Sequence, residues 1–104
     1  MGKVVSVNRV PIRLTEERWF HITEGHPEMA GYYFEVLEAI GGPDGVYKGD
    51  QEELFALREI EKGKYIVVVY KEVSEEDGFV ITSFMTRKER TITRREEIWP
   101  SQKT

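Results

Sequence analysis

Tyr65-Ile66-Val67-Val68-Val69-Tyr70 is the most apolar run of the chain. Its lack of polar alternation predicts a central strand buried on both faces. Upstream, Glu61-Lys62-Gly63-Lys64 reads as a hairpin turn, with a strand from Glu53 to Ile60 before it and a short strand from Val46 to Lys48 before that. Downstream, Ser74-Glu75-Glu76-Asp77-Gly78 reads as a second turn and Phe79 to Thr86 as the last long strand. This half of the chain therefore predicts an antiparallel meander of about four strands.

The first half reads differently. Val10 to Leu14 is a short β-prone run, with Val4 to Val7 as its partner or lead-in. Thr15 is a good N-cap, and Glu16 and Glu17 follow where a helix dipole favours carboxylates. That helix runs to about Glu24, with Trp19, Ile22 and Thr23 on one face, and Gly25 closes it as a residue past its end. Pro27 suits the first position of a second helix, whose apolar stripe is Met29, Tyr33, Val36, Leu37 and Ile40. Gly41-Gly42-Pro43-Asp44-Gly45 stops it. Helices grouped ahead of an antiparallel sheet predict an α+β fold in which two N-terminal helices pack on four to five antiparallel strands. The other sheet face is left free for a concave site.

The chain has 104 residues, enough for one domain. We expect a single unit over residues 1–104, with a core of about 10–90 and a basic C-terminal segment over 87–104. No run is long and apolar enough to cross a bilayer, so no membrane partner is expected. The first residues lack the pattern of a signal peptide. Cysteine is absent, which removes disulfides and thiolate metal sites. Together these predict a cytoplasmic protein.

Net charge is −4, which by itself argues against nucleic acid. The distribution reverses that. Arg87-Lys-Glu-Arg-Thr-Ile-Thr-Arg-Arg95 carries five basic residues and one acidic, leaving ten basic and eighteen acidic residues elsewhere. A local cationic patch of Arg87, Lys88, Arg90, Arg94 and Arg95 matters more to a polyanion than the sum does. The competing reading is a solvated C-terminal extension.

Both histidines fall in Arg18-Trp-Phe-His-Ile-Thr-Glu-Gly-His-Pro-Glu28, and no other side chain is an obvious acid–base group near neutral pH. His21 points away from the Trp19–Ile22 face, which also fits a plain surface histidine. His26 precedes a proline and so leaves the helical region, which also fits a residue that satisfies a helix end. Their spacing is not that of a helical zinc pair, and there is no obvious third ligand, so no metal and no cofactor are expected. Arg58 and Lys71 sit on neighbouring antiparallel strands, two or three pairs from directly opposite, where either could hold a phosphate. Thr82 belongs to a row of hydroxyls that includes Thr86. Tyr65 and Tyr70 read as packing residues. The glycine-rich Gly41–Gly45 stretch is not a phosphate loop, because it lacks the Lys-Ser/Thr pair and follows a helix.

In order and spacing, Arg18-Trp19-x-His21-Ile22, His26-Pro27-Glu28, Val46-Tyr47, Val67-Val68-Val69-Tyr70 and Ile81-Thr82-x-Phe84 resemble the phage-associated nuclease-like domains of the barnase–EndoU–colicin–RelE superfold, over roughly residues 10–90. The resemblance implies helices on a four-stranded antiparallel sheet, and metal-independent RNA cleavage in which the ribose 2′-hydroxyl attacks phosphorus to leave a 2′,3′-cyclic phosphate. It assigns catalytic positions to His21, His26 and Thr82, and more loosely to Arg58 and Lys71. The expected function is a toxin-like or phage-derived endoribonuclease, with RNA and a protein inhibitor as partners. The alternative is a catalytically silent module of the same fold that binds nucleic acid or protein. The acidic net charge is a departure from the usual RNA-cutting composition, and the activity is inferred from fold.

Overall fold

The computed structural model describes residues 2–100. The chain runs through β1 (Gly2–Val5), β2 (Pro11–Leu14), α1 (Glu16–Gly25), a 3₁₀ turn (Pro27–Met29), α2 (Tyr33–Gly41), β3 (Gly45–Lys48), β4 (Leu54–Glu61), β5 (Lys64–Ser74), β6 (Asp77–Thr86), α3 (Arg90–Thr93) and β7 (Glu97–Trp99). Its strands form one seven-stranded sheet in the order β1-β2-β6-β5-β4-β3-β7.

This is an α+β fold, but the expected four to five antiparallel strands under two N-terminal helices are corrected on three counts. The N-terminal segments are full strands, paired antiparallel from Gly2↔Leu14 to Val5↔Pro11. β2 then runs parallel to β6, with Ile12 beside Gly78 and Arg13 beside Phe79. Residues 97–99 add an edge strand to β3, and α3 is a third helix. The β1–β2 hairpin is local, but the β2–β6 and β3–β7 pairings join residues far apart in the chain and leave no local periodicity from which to predict them.

The N-terminal hairpin is held by a polar clamp. Ser6 Oγ accepts from the N–H groups of Asn8 (3.3 Å) and Val10 (3.2 Å) and donates to Glu72 Oε2 at 2.6 Å. The Asn8 amide also donates to Glu72 Oε1 at 3.1 Å. Glu72 is near the end of β5, so the clamp ties the hairpin loop to the central strand.

The first helix follows its sequence signals. Thr15 Oγ1 accepts from the Arg18 N–H at 3.1 Å, and Glu16 and Glu17 occupy the first turn. Its end differs from expectation: Gly25 lies within the last turn, and His26 is the cap, donating its N–H to the Ile22 carbonyl at 2.7 Å. No continuous second helix begins at Pro27. The 3₁₀ turn stops, Gly31 takes a left-handed φ of 91°, and α2 starts at Tyr33. On the predicted stripe Met29, Val36 and Ile40 are buried, whereas Tyr33 and Leu37 are half-buried.

Both faces of β5 are buried from Ile66 to Tyr70. Ile66, Val68 and Tyr70 meet Ile12, Leu14, Ile22 and Ile40 under the helices. Val67 and Val69 meet Tyr47, Leu57 and Ile92 on the opposite side. Ile92 comes from α3, in the middle of the basic run. Residues 87–95 are therefore folded onto the sheet and are not a solvated extension. Residues 101–104 of that segment lie outside those described.

Gly78 is where three strands crowd together. A Cβ there would stand 2.6 Å from the Lys71 carbonyl oxygen and 2.5 Å from Ile12 Cδ1, and the first of these is backbone that cannot step aside. Gly78→Ala is expected to cost about 1–3 kcal/mol by overpacking. Gly25→Ala meets nothing within 4 Å and should be neutral or stabilising by up to about 1 kcal/mol. Urea unfolding of the two variants checks this, and equal effects would contradict the parallel packing of β2 on β6.

Candidate functional site

Side chains alternate along β5, so Tyr65, Val67, Val69 and Lys71 face away from α1 and α2. On β6 one extra residue interrupts that alternation: Tyr70 pairs with Val80, but Val69 pairs with Thr82, leaving Ile81 as a bulge. Thr82 opposite Val69 and Phe84 opposite Val67 therefore share the face of Lys71.

The basic segment covers the β3–β4 side of this face. Ile92 is its apolar anchor. The Arg95 guanidinium lies 4.8 Å from the centre of the Phe55 ring and 3.0 Å from Asp50 Oδ1, and it holds the Asp50 carboxyl below the usual carboxylate range. The Tyr65 hydroxyl donates to Glu89 Oε2 at 3.0 Å, and that bond pushes its pKa up. What stays open is a band along β6.

His26 borders that band. Its ring packs on Phe84 with centroids 5.9 Å apart and planes tilted by 33°. Its Nδ1 stands 3.4 Å from Glu28 Oε2, an ion-pair approach longer than a good hydrogen bond. Among the described residues no hydrogen bond engages Nε2. A carboxylate that closed this gap to a hydrogen bond would orient the ring and leave the other nitrogen to move a proton.

The remaining predicted residues are distributed unevenly. Lys71 and Thr82 lie on the open face with Phe84. His21 is exposed on α1, its ring leaning on Phe20 at 6.2 Å, and no hydrogen bond joins it to His26. Arg58 pairs with Ile66, so it lies on the helix-covered face, not beside Lys71. Its guanidinium donates to the Gly42 carbonyl and fastens the loop after α2, a loop also held where Asp44 Oδ2 accepts from the Glu59 N–H at 2.7 Å. Arg58 thus lines a separate cavity of about 420 Å³ beside Lys3, Glu38 and Gly41. Tyr70 is fully buried, its hydroxyl without a hydrogen-bond partner among the described residues, and burial raises its pKa.

Of the cationic patch, Arg95 is held by Asp50 and Phe55. Arg87, Lys88, Arg90 and Arg94 make no ion pair among the described residues. Sequence reasoning does not single out Glu28 or Phe84 for a site, although Glu28 follows His26 by two residues. Among the described residues no group of three His, Asp or Glu side chains is placed to hold a metal ion, and none of their helices is long and apolar enough to cross a membrane. No family model, curated protein or solved structure matches the chain.

Ile92 couples the cationic segment to the sheet. Ile92→Ala should cost about 2–4 kcal/mol and should make the arginines of residues 87–95 the first sites of trypsin cleavage in the native protein. Cleavage there at the wild-type rate would show that the segment does not depend on this anchor.

Proposed function

We propose that the open band along β6 binds single-stranded RNA and that the protein cleaves it without metal, through 2′-hydroxyl attack on phosphorus. The observation that carries this reading is the position of His26, set against Phe84 with Glu28 at Nδ1, at the border of a face that also presents Thr82 and Lys71. In this scheme His26 takes the proton of the 2′-hydroxyl, and solvent water supplies the proton that the leaving 5′-oxygen gains. Thr82 donates a hydrogen bond to the phosphorane, and Lys71, four residues along β5 from the Val67 that pairs with Phe84, holds a flanking phosphate. Arg87, Lys88, Arg90 and Arg94 hold flanking phosphates. His21 lies on the outer surface of α1 and Arg58 on the other sheet face, so neither is needed at the reacting atoms. That same dispersion is what favours the second reading, a module that binds RNA without cutting it.

Incubation with RNA in EDTA separates the two. Cleavage should leave 2′,3′-cyclic phosphate ends, and His26→Ala should slow it by about 10²–10⁴-fold, with His21→Ala within about tenfold of wild type. RNA binding with no cleavage would select the silent module. For the patch, Arg90→Ala with Arg94→Ala should flatten the slope of log affinity against log salt by about 0.7 for each phosphate no longer neutralised. An unchanged slope would remove the segment from the interface.

A further inference from the structure

At the far end of the open face from His26, three neighbouring strands place Arg13, Phe79 and Lys71 side by side. Arg13 pairs with Phe79 across β2–β6, and Lys71 pairs with Phe79 across β5–β6. An aromatic ring thus stands between two cations, the arrangement that single-stranded nucleic acid uses for stacking and phosphate contact. Asp77 accepts from Arg13 Nε at 2.9 Å and from Nη2 at 3.0 Å. That fork fixes the guanidinium and leaves its Nη1 edge to donate. Phe79 also forms a wall of two adjoining cavities. One holds Arg13, Thr15 and Arg18. The other, about 330 Å³, is lined by Gln51, Glu53, Val69, Lys71, Phe79 and Ile81.

The second cavity has a fixed polar wall. Glu53 Oε1 accepts from the Gln51 N–H at 2.7 Å, and the Gly49 N–H donates to the Glu53 carbonyl, also at 2.7 Å. The loop is so close to this side chain that a Cβ on Gly49 would come within 2.3 Å of the Glu53 carboxyl carbon. Glu53 Oε2 makes no hydrogen bond among the described residues. A carboxylate oxygen held in place and free to accept matches a base edge that donates.

We infer that this cavity is a nucleobase subsite of the RNA-binding face, with Phe79 as the stacking platform, Lys71 and the Nη1 edge of Arg13 on the flanking phosphates, and Glu53 selecting bases that carry an exocyclic amine. Adenine, cytosine and guanine present such an amine; uracil presents a carbonyl in its place and is disfavoured. The inference rests on the RNA reading of the same face.

The test is fluorescence anisotropy at low salt with short 2′-O-methyl homopolymers of adenosine, cytidine and uridine, which the protein cannot cleave because the nucleophile is blocked. The adenosine and cytidine strands should bind about tenfold tighter than the uridine strand. Phe79→Leu should weaken all three by roughly 5- to 100-fold. Glu53→Gln can keep the Gln51 N–H bond through its amide oxygen while turning a donor toward the base, so the preference against uridine should shrink or reverse. This near-isosteric variant tests the subsite even if Phe79→Leu proves unstable. Binding without base preference that Glu53→Gln leaves unchanged would overturn the subsite and leave the RNA reading standing. No binding of any strand would overturn both.

Discussion

The burial of Ile66–Tyr70 on both faces is the constraint on which the rest of the structure depends. A strand without a polar side needs two covers, and this chain supplies two unequal ones. α1, α2 and the 3₁₀ turn cover one face. The other is covered by a few residues after β6, anchored by Ile92 and by Arg95 over Phe55. A segment this short reaches only the β3–β4 side. The apolar surface beside β6, with Ile81 and Phe84 half-buried, is the part left over, and it is there that the candidate site lies.

Charge follows the same division. Between Thr15 and Asp44 the chain carries seven acidic residues and one basic residue, so the helical layer is strongly negative. Residues 87–95 meet the opposite sheet face through Ile92 and Arg95, with Arg87, Lys88, Arg90 and Arg94 exposed. A net charge of −4 therefore hides an uneven distribution, acidic over the helices and basic over residues 87–95. The segment that completes the core is also the one that carries the cations, so folding and any electrostatic recognition share one anchor.

Much of this is legible in local sequence. The apolar run of β5, the Thr15 cap and the turns at Lys62–Gly63 and Glu75–Glu76 need only neighbours in the chain, and each reads correctly. The β1–β2 hairpin beside β6 and β7 beside β3 depend on partners far along the chain, and their residues carry no periodic signal strong enough to place them. Ile92 misleads for a related reason. One isoleucine among arginines looks solvated until Tyr47, Leu57 and Val67 are brought under it.

The candidate site depends most on two single-residue irregularities that no propensity reveals. Side-chain direction in a strand has a period of two, so one inserted residue reverses every assignment beyond it. Near the β4–β5 turn Glu61 pairs with Lys64, and an unbroken ladder would bring Arg58 opposite Val67, on the open face four residues along β5 from Lys71. The irregularity between Glu59 and Glu61 brings it opposite Ile66 instead, and Arg58 becomes the fastener of the Gly42 loop. On β6 the bulge at Ile81 acts in the other sense. Phe79 and Thr82 are three residues apart and would face opposite ways on a regular strand. The bulge lets both face outward, with Phe84 beyond them. The open band gains its aromatic rings and its hydroxyl on one surface because β6 is irregular at that point, while Val80 and Ser83 still fill the buried side.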